Sequence, residues 1–167
     1  MTSLDQDRAA LRRLVDEYAL AMDNADLEAF HKLFVPDGAL IVRRQGRKEP
    51  MGTFTGPGTD GVALIALLMN EHYWATMHNV TTHVSKVDGD SATGTTLCLA
   101  YHVIERDDNG TPALETLAVR YEESFVRTAE GWRFRTRDVV RLWSQVTPTP
   151  YEPLVVDRAA GATSGRR

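Results

Sequence analysis

Residues 76–145 read TMHNVTTHVSKVDGDSATGTTLCLAYHVIERDDNGTPALETLAVRYEESFVRTAEGWRFRTRDVVRLWSQ, and this stretch decides the fold. Four runs of strand-forming residues, Met77 to Lys86, Ser91 to Arg106, Leu114 to Arg127 and Gly131 to Gln145, follow one another in it. Asp88-Gly89-Asp90, Asp107-Asp108-Asn109-Gly110 and Thr128-Ala129-Glu130-Gly131 separate them. These are turn sequences, and Asn109-Gly110 is a strong hairpin signal, so the strands are expected to form an antiparallel meander.

Upstream of the meander the period changes to that of a helix. Ser3-Leu4-Asp5-Gln6 reads as a capping box, and Leu11, Leu14, Val15, Tyr18, Ala19 and Met22 then share one stripe of a helix ending near Asp23. After Asn24-Ala25-Asp26, the spacing of Leu27, Phe30, Leu33 and Phe34 predicts a second short helix, closed by Pro36-Asp37-Gly38. Ala39 to Arg43 and Met51 to Thr55 are strand candidates around a charged hairpin loop. Val62, Ile65, Leu68 and Met69 mark a third helix behind the Gly56-Pro57-Gly58-Thr59-Asp60-Gly61 turn. Helices in front and a meander behind indicate an α+β domain: a curved antiparallel sheet wraps the N-terminal helices into a cone with an internal pocket. One domain over 1–150 is expected. From 151 to 167 the chain loses periodicity and reads as a tail mobile at its end.

At 167 residues with 43% hydrophobic and 25% charged residues, the composition is that of an ordinary globular domain. A net charge of -4 disfavours nucleic acid or an anionic membrane as partner and fits a small or neutral ligand better, and an apolar cavity would suit a small hydrophobic molecule. The N-terminus has no basic-then-apolar leader pattern and no segment has the length of a membrane helix, which points to the cytoplasm. The single cysteine, Cys98, sits in an apolar run and excludes an internal disulfide. His31, His72, His78, His83 and His102 show no ligand spacing with carboxylates and no phosphate-binding glycine motif is present, so neither a metal nor a nucleotide cofactor is expected.

Tyr18, Asp23 and His78 carry the chemistry. A carboxylate oriented against an imidazole makes a general base, and a phenol beside it a proton donor. Asp23 also lies at the C-terminal end of a helix, where the negative end of the macrodipole disfavours a carboxylate by roughly 0.3 to 1 kcal/mol, so a compensating partner is expected nearby. The residues leave other readings open. Asp23 is also placed to cap the following helix, and Tyr18 lies on the apolar stripe as a core tyrosine. Regular alternation puts His78, Val80 and Thr82 on one face and Met77, Asn79, Thr81 and His83 on the other, so only one of the two histidines looks into the cone.

This order of elements resembles the nuclear transport factor 2-like superfamily, and within it the SnoaL-like branch, over about residues 5 to 147. Tyr18 and Asp23 at the end of helix one, Gly52-Thr53-Phe54-Thr55-Gly56-Pro57, Met77-His78-Asn79 and Gly131-Trp132-Arg133-Phe134 carry the resemblance. The chain is similar there to the scytalone dehydratase, bile acid 7α-dehydratase and hexachlorocyclohexane dehydrochlorinase families, lyases with an Asp and His pair inside a cystatin-like α+β barrel. The resemblance selects His78 as base and Asp23 as its orienter. It adds Arg137, at the place of an arginine that contacts the leaving group. Tyr18, where the dehydrochlorinase has a lysine, points to an oxygen substrate.

The implied catalytic set is Asp23, His78, Tyr18 and Arg137. Tyr73, Trp74, Tyr101, Tyr121, Phe125 and Arg141 are expected to bind substrate. In a regular strand Arg133, Arg135 and Arg137 oppose Trp132, Phe134 and Thr136, so a bulge near Thr136 to Val139 is needed to re-aim Arg137, or else Arg141 takes its role. The implied activity is a cofactor-independent dehydratase of a cyclic or polyketide-like hydroxy-ketone. An isomerase or polyketide cyclase with the same dyad, or a non-catalytic binding module, remain alternatives. The family further implies a homo-oligomer, dimer or trimer.

Overall fold

A computed structural model of the chain describes residues 3–105 and 112–149. Helix α1 (Leu4–Asp23) starts at the expected capping box: Ser3 Oγ accepts from the Gln6 backbone N–H at 3.2 Å, and Gln6 Oε1 accepts from the Ser3 N–H at 2.8 Å. Its buried stripe is Leu11, Leu14, Val15, Tyr18, Ala19 and Met22, and its outer face carries the i,i+4 pairs Arg12–Asp16 and Arg13–Glu17. Ala25, at φ 51°, breaks the chain away from α1, and Asp26 accepts from the Ala29 N–H at 3.0 Å to start α2 (Leu27–His31).

The second helix stops earlier than its apolar spacing predicts. Phe34 does not continue it but opens β1 (Phe34–Arg44), which runs through Pro36-Asp37-Gly38 with a break in register between Phe34 and Ala39. A distant partner overrides the local pattern: Phe34 pairs with Phe134 in a parallel ladder, and their rings sit 5.2 Å apart. The short strand β2 (Gly52–Thr55) returns antiparallel on β1. Helix α3 (Leu64–His72) follows with no side-chain cap; Gly61 is needed not as a cap but because a Cβ there would collide with the backbone oxygens of Thr55 and Gly56.

The meander forms as expected from β3 (Ala75–Asp88), β4 (Ser91–Glu105), β5 (Pro112–Thr128) and β6 (Gly131–Pro148). Strands β4 and β5 pair from Glu105 and Pro112 onward, while the Asn109-Gly110 turn and the tail from residue 150 lie outside the described residues. Among the described residues the sheet order is β2-β1-β6-β5-β4-β3, a curved sheet that does not close. Helix α1 packs across its concave face. At one end Asp7 of α1 accepts two hydrogen bonds from Arg127 (2.7 and 2.8 Å) and one from the Trp132 indole (3.2 Å). This fixes the start of α1 at the β5–β6 turn and delivers Tyr18, Met22 and Asp23 to the opposite, open end.

Three bulges decide which side chains face inward. Val80 pairs with Cys98 and Thr82 with Leu97, so Thr81 is an extra residue on β3. The parity flips there, and His78 and His83 both turn into the concave side, contrary to the expectation that only one could. On β6 the extra residues are Arg135 and Leu142, because Ser124 pairs with Thr136 but Phe125 with Phe134, and Ala118 with Trp143 but Val119 with Arg141. The bulge at Arg135, ahead of the expected position, puts Trp132, Phe134, Arg137, Val139 and Arg141 on one inner face.

Candidate active site

Asp23 and His78 meet at the open end of the cone. Asp23 Oδ1 lies 2.7 Å from His78 Nδ1, Oδ2 accepts the His78 backbone N–H at 2.7 Å, and Oδ1 also accepts the Thr76 hydroxyl at 2.9 Å. Burial alone would raise the Asp23 pKa; the hydrogen bonds from His78 and Thr76 overcome it and hold the carboxyl below its ordinary value. A carboxylate that is ionised only accepts, so Nδ1 of His78 carries the proton and Nε2 is the basic nitrogen. These bonds supply the compensation that a carboxylate at a helix C-terminus requires, and Asp26 rather than Asp23 caps α2.

The dyad opens on a cavity of about 140 Å³ whose wall takes one to three residues from each of seven elements. Tyr18 and Met22 come from α1, Leu40 and Val42 from β1, and Ile65 and Met69 from α3, with Tyr73 just beyond it. The sheet adds His78, His102, Leu117, Val119, Tyr121, Val139 and Arg141. Wider depressions, one of about 450 Å³ beside Asn24 and Lys32, lie outside the cone and hold neither dyad residue. The lining is mostly apolar, with a few polar groups, His78, His102, Arg141 and the phenols of Tyr18, Tyr73 and Tyr121, as expected of a small-molecule site.

Sequence reasoning missed one polar group of this wall. His102 is 2% exposed and its ring centre is 5.5 Å from that of His78. Its Nδ1 is 3.4 Å from Glu115 Oε2, an oxygen that also accepts the Tyr73 hydroxyl at 3.2 Å, while Glu115 Oε1 accepts from Arg141 at 3.2 Å. Glu115 thereby gathers three cavity residues from α3's exit, β4 and β6. Burial, then the nearness of His78, lowers the His102 pKa to about 4 against the pull of Glu115, so the ring is neutral at pH 7. With Nδ1 turned to Glu115, its buried Nε2 is left without a hydrogen-bond partner among the described residues. No local signal in the sequence singles it out; the strand register does, setting His102 opposite Thr76 and Glu115 opposite His102.

Of the residues expected at the site, Tyr18, Asp23, His78, Tyr73, Tyr121 and Arg141 come together here. Four do not. Trp74, just before β3, is 37% exposed and outside the cavity wall. Tyr101 sits between the inward-facing Ala100 and His102, and strand alternation turns it to the convex side. Phe125 is buried in the deep core against Phe134, at 5.1 Å between rings. Arg137 faces inward but below the cavity: it is 0% exposed, with its guanidinium 4.0 Å from the Tyr18 ring centre, 3.9 Å from that of Tyr121 and 2.7 Å from Glu123 Oε1. The rings of Tyr18 and Tyr121 intervene, so Arg137 is not placed to touch a leaving group.

The cone and the order of its elements agree with a comparison of the whole chain: the SnoaL-like domain matches residues 5–138. The chain belongs to the SnoaL-like domain family. An uncharacterized protein of Mycobacterium tuberculosis is 26% identical to this SnoaL-like domain over 137 residues, covering 78% of this chain and 82% of that one. Among solved structures, an NTF2-like protein with a cystatin-like fold from Novosphingobium aromaticivorans is 28% identical at a TM-score of 0.61, covering 83% and 84% of the two chains. A hexachlorocyclohexane dehydrochlorinase from Novosphingobium barchaimii has a TM-score of 0.67 at 19% identity, covering 87% of this chain and 94% of its own. A scytalone dehydratase-like protein from Novosphingobium aromaticivorans has a TM-score of 0.66 at 18% identity, covering 93% and 95%. At such identities the last two likenesses establish the shared cone. No described helix is long and apolar enough to cross a membrane.

Proposed function

We propose that this SnoaL-like domain is a lyase that removes water from a small cyclic hydroxy-ketone without metal or nucleotide. The observation that carries this reading is the Asp23–His78 pair, in which Asp23 holds Nδ1 and leaves Nε2 free to act beside a second imidazole in the wall of an apolar cavity. His78 Nε2 takes the proton from the carbon next to the carbonyl, and the electron pair moves onto the carbonyl oxygen as an enolate. Asp23 stabilises the imidazolium that forms. Tyr18, and Tyr121 beside it, donate to the enolate oxygen. When the enolate collapses, the C–O bond to the β-hydroxyl breaks and the proton held by His78 leaves with the hydroxide as water. His102 Nε2 is an acceptor for a substrate hydroxyl, and Arg141 and Tyr73 close the polar side of the cavity.

The cavity also narrows the substrate. About 140 Å³ is close to the roughly 150 Å³ that holds a benzene ring in a protein core, so a single six-membered ring is favoured over a fused polyketide. A homo-oligomer belongs to the same reading: Leu99, Ala118 and Trp143 align in one row across the convex face, with Met77 and Leu97 nearby, and Trp143 is 55% exposed in the single chain.

The experiment is to supply 3-hydroxycyclohexanone in heavy water and follow enone absorbance together with deuterium entry next to the carbonyl. Water loss that disappears in His78→Ala supports the dehydratase. Deuterium entry without water loss replaces it by the isomerase reading. Turnover unchanged in His78→Ala removes the dyad mechanism altogether.

A further inference from the structure

Arg137 is a fully buried guanidinium with few partners of its own. Among the described residues it forms an ion pair with Glu123 Oε1 at 2.7 Å, off hydrogen-bond angle, and Nε, Nη1 and Nη2 lack a well-formed hydrogen bond. Instead the cation lies over three ring faces: Tyr121 at 3.9 Å, Tyr18 at 4.0 Å and Phe134 at 4.7 Å. Glu123 stands on the far side from the cavity, accepting the Thr96 hydroxyl at 2.9 Å with His83 Nδ1 3.6 Å away, and none of Glu123, Thr96 or His83 lines the cavity. The Arg137–Glu123 dipole therefore points its positive end at the two phenols that form the cavity floor.

We propose that Arg137 makes this floor selective for a ring ligand in its anionic enolate or phenolate form, acting through the faces of Tyr18 and Tyr121 rather than by touching the ligand. This rests on the reading of the cavity as the reaction site. A cation held against the face of a phenol draws electron density toward itself, which strengthens the O–H as a donor and favours negative charge at or beside the phenol oxygen. Burial raises both phenol pKa values above the ordinary range, and Arg137 opposes that rise in each, so the two hydroxyls stay protonated donors and do not ionise themselves. Of the other charged groups near the ligand, Glu115 is opposed by Arg141, the Asp23 carboxylate is turned onto the Nδ1–H and backbone N–H of His78 and the Thr76 hydroxyl, and His102 is neutral at pH 7. The Cys98 thiol is pushed up to about 11 by burial and stays neutral as well. Arg137 is thus a positioning and tuning residue, not a group in contact with the reacting atoms.

The test uses 4-nitrophenol, a single-ring probe whose absorbance reports its own ionisation. Titrated bound to the full chain, its ionisation midpoint is expected to fall below that in free solution. In Arg137→Met the midpoint should return upward by about one pH unit, a roughly tenfold loss of phenolate preference. Arg137→Lys, which keeps the charge, should retain most of the shift, and Glu123→Gln, which removes the opposing charge, should hold or deepen it. A folded Arg137→Met with an unmoved midpoint, or a shift lost in Glu123→Gln and kept in Arg137→Met, overturns the proposal. Measuring the same midpoint in His78→Ala separates it from the dehydratase reading. That variant loses turnover if the dyad is catalytic, yet keeps the shift if Arg137 is its source; a shift lost in His78→Ala alone assigns the effect to the imidazole and overturns the proposal.

Discussion

Asp23 grips His78 twice, with Oδ1 on the ring nitrogen and Oδ2 on the backbone N–H, each at 2.7 Å. The double contact fixes both the position of the strand at His78 and the tautomer of its ring. A carboxylate held this way orients a base and does not compete with it for the substrate proton.

Replacing the pair therefore has separable effects. His78→Ala is expected to lower turnover of the dehydration by about 10² to 10⁴, the usual worth of general base catalysis. Asp23→Asn should also lower kcat, because the amide can donate to Nδ1 and so reverse the tautomer, with little change in KM. Steady-state rates of enone formation check both.

Acid should destabilise the fold through His102 before it protonates the carboxylates. The folded pKa, about 4, lies below the ordinary 6.5, so the unfolded chain binds the proton first. Stability is then complete above about 6.5 and declines as pH falls towards about 4, by roughly 2 to 3 kcal/mol for this group. The pKa of His83 is lowered too, chiefly by burial, and acts with the same sign. Asp23, with its folded pKa depressed, adds a further loss at lower pH, as pH falls from the unfolded carboxylate value through the folded one. Denaturant unfolding of the wild type and His102→Gln across pH 4 to 7 tests this: the variant's midpoint should vary less over that range.

Glu115 is the hub of the polar wall, and its loss should act on binding. Glu115→Gln weakens the bonds to Tyr73, His102 and Arg141 together. A KM increase of about tenfold is expected, corresponding to one charge-assisted hydrogen bond, with a smaller change in kcat. An unchanged KM would place the substrate elsewhere in the cavity.

Cavity volume should set ring size. Val119 is 2% exposed and lines the cavity, so Val119→Ala enlarges it by about two methyl groups at a cost near 2 kcal/mol in stability. The variant is expected to accept ring-substituted hydroxycyclohexanones that the wild type rejects, read as a change in relative kcat/KM, with the melting temperature recording the cost.

The amino-acid sequence alone determined the capping box and apolar stripe of α1, the meander of four strands and the candidacy of Asp23 and His78. The helix and the meander are written in local periodicity and turn chemistry, and Asp23 in a charge at the wrong end of a helix, whereas His78 was singled out from His83 by the resemblance to a known family. Tertiary pairing decided the rest. Phe34 left its helical stripe for a parallel ladder with Phe134, a hundred residues away in sequence number, and His102 and Glu115 became cavity residues only through the register of β3, β4 and β5. The bulges at Thr81, Arg135 and Leu142 turned His83 inward and set Arg137 beneath the two tyrosines. A strand's side-chain period is two, so one extra residue exchanges the faces of everything beyond it, and where that residue is inserted depends on the neighbouring strand rather than on the strand's own sequence.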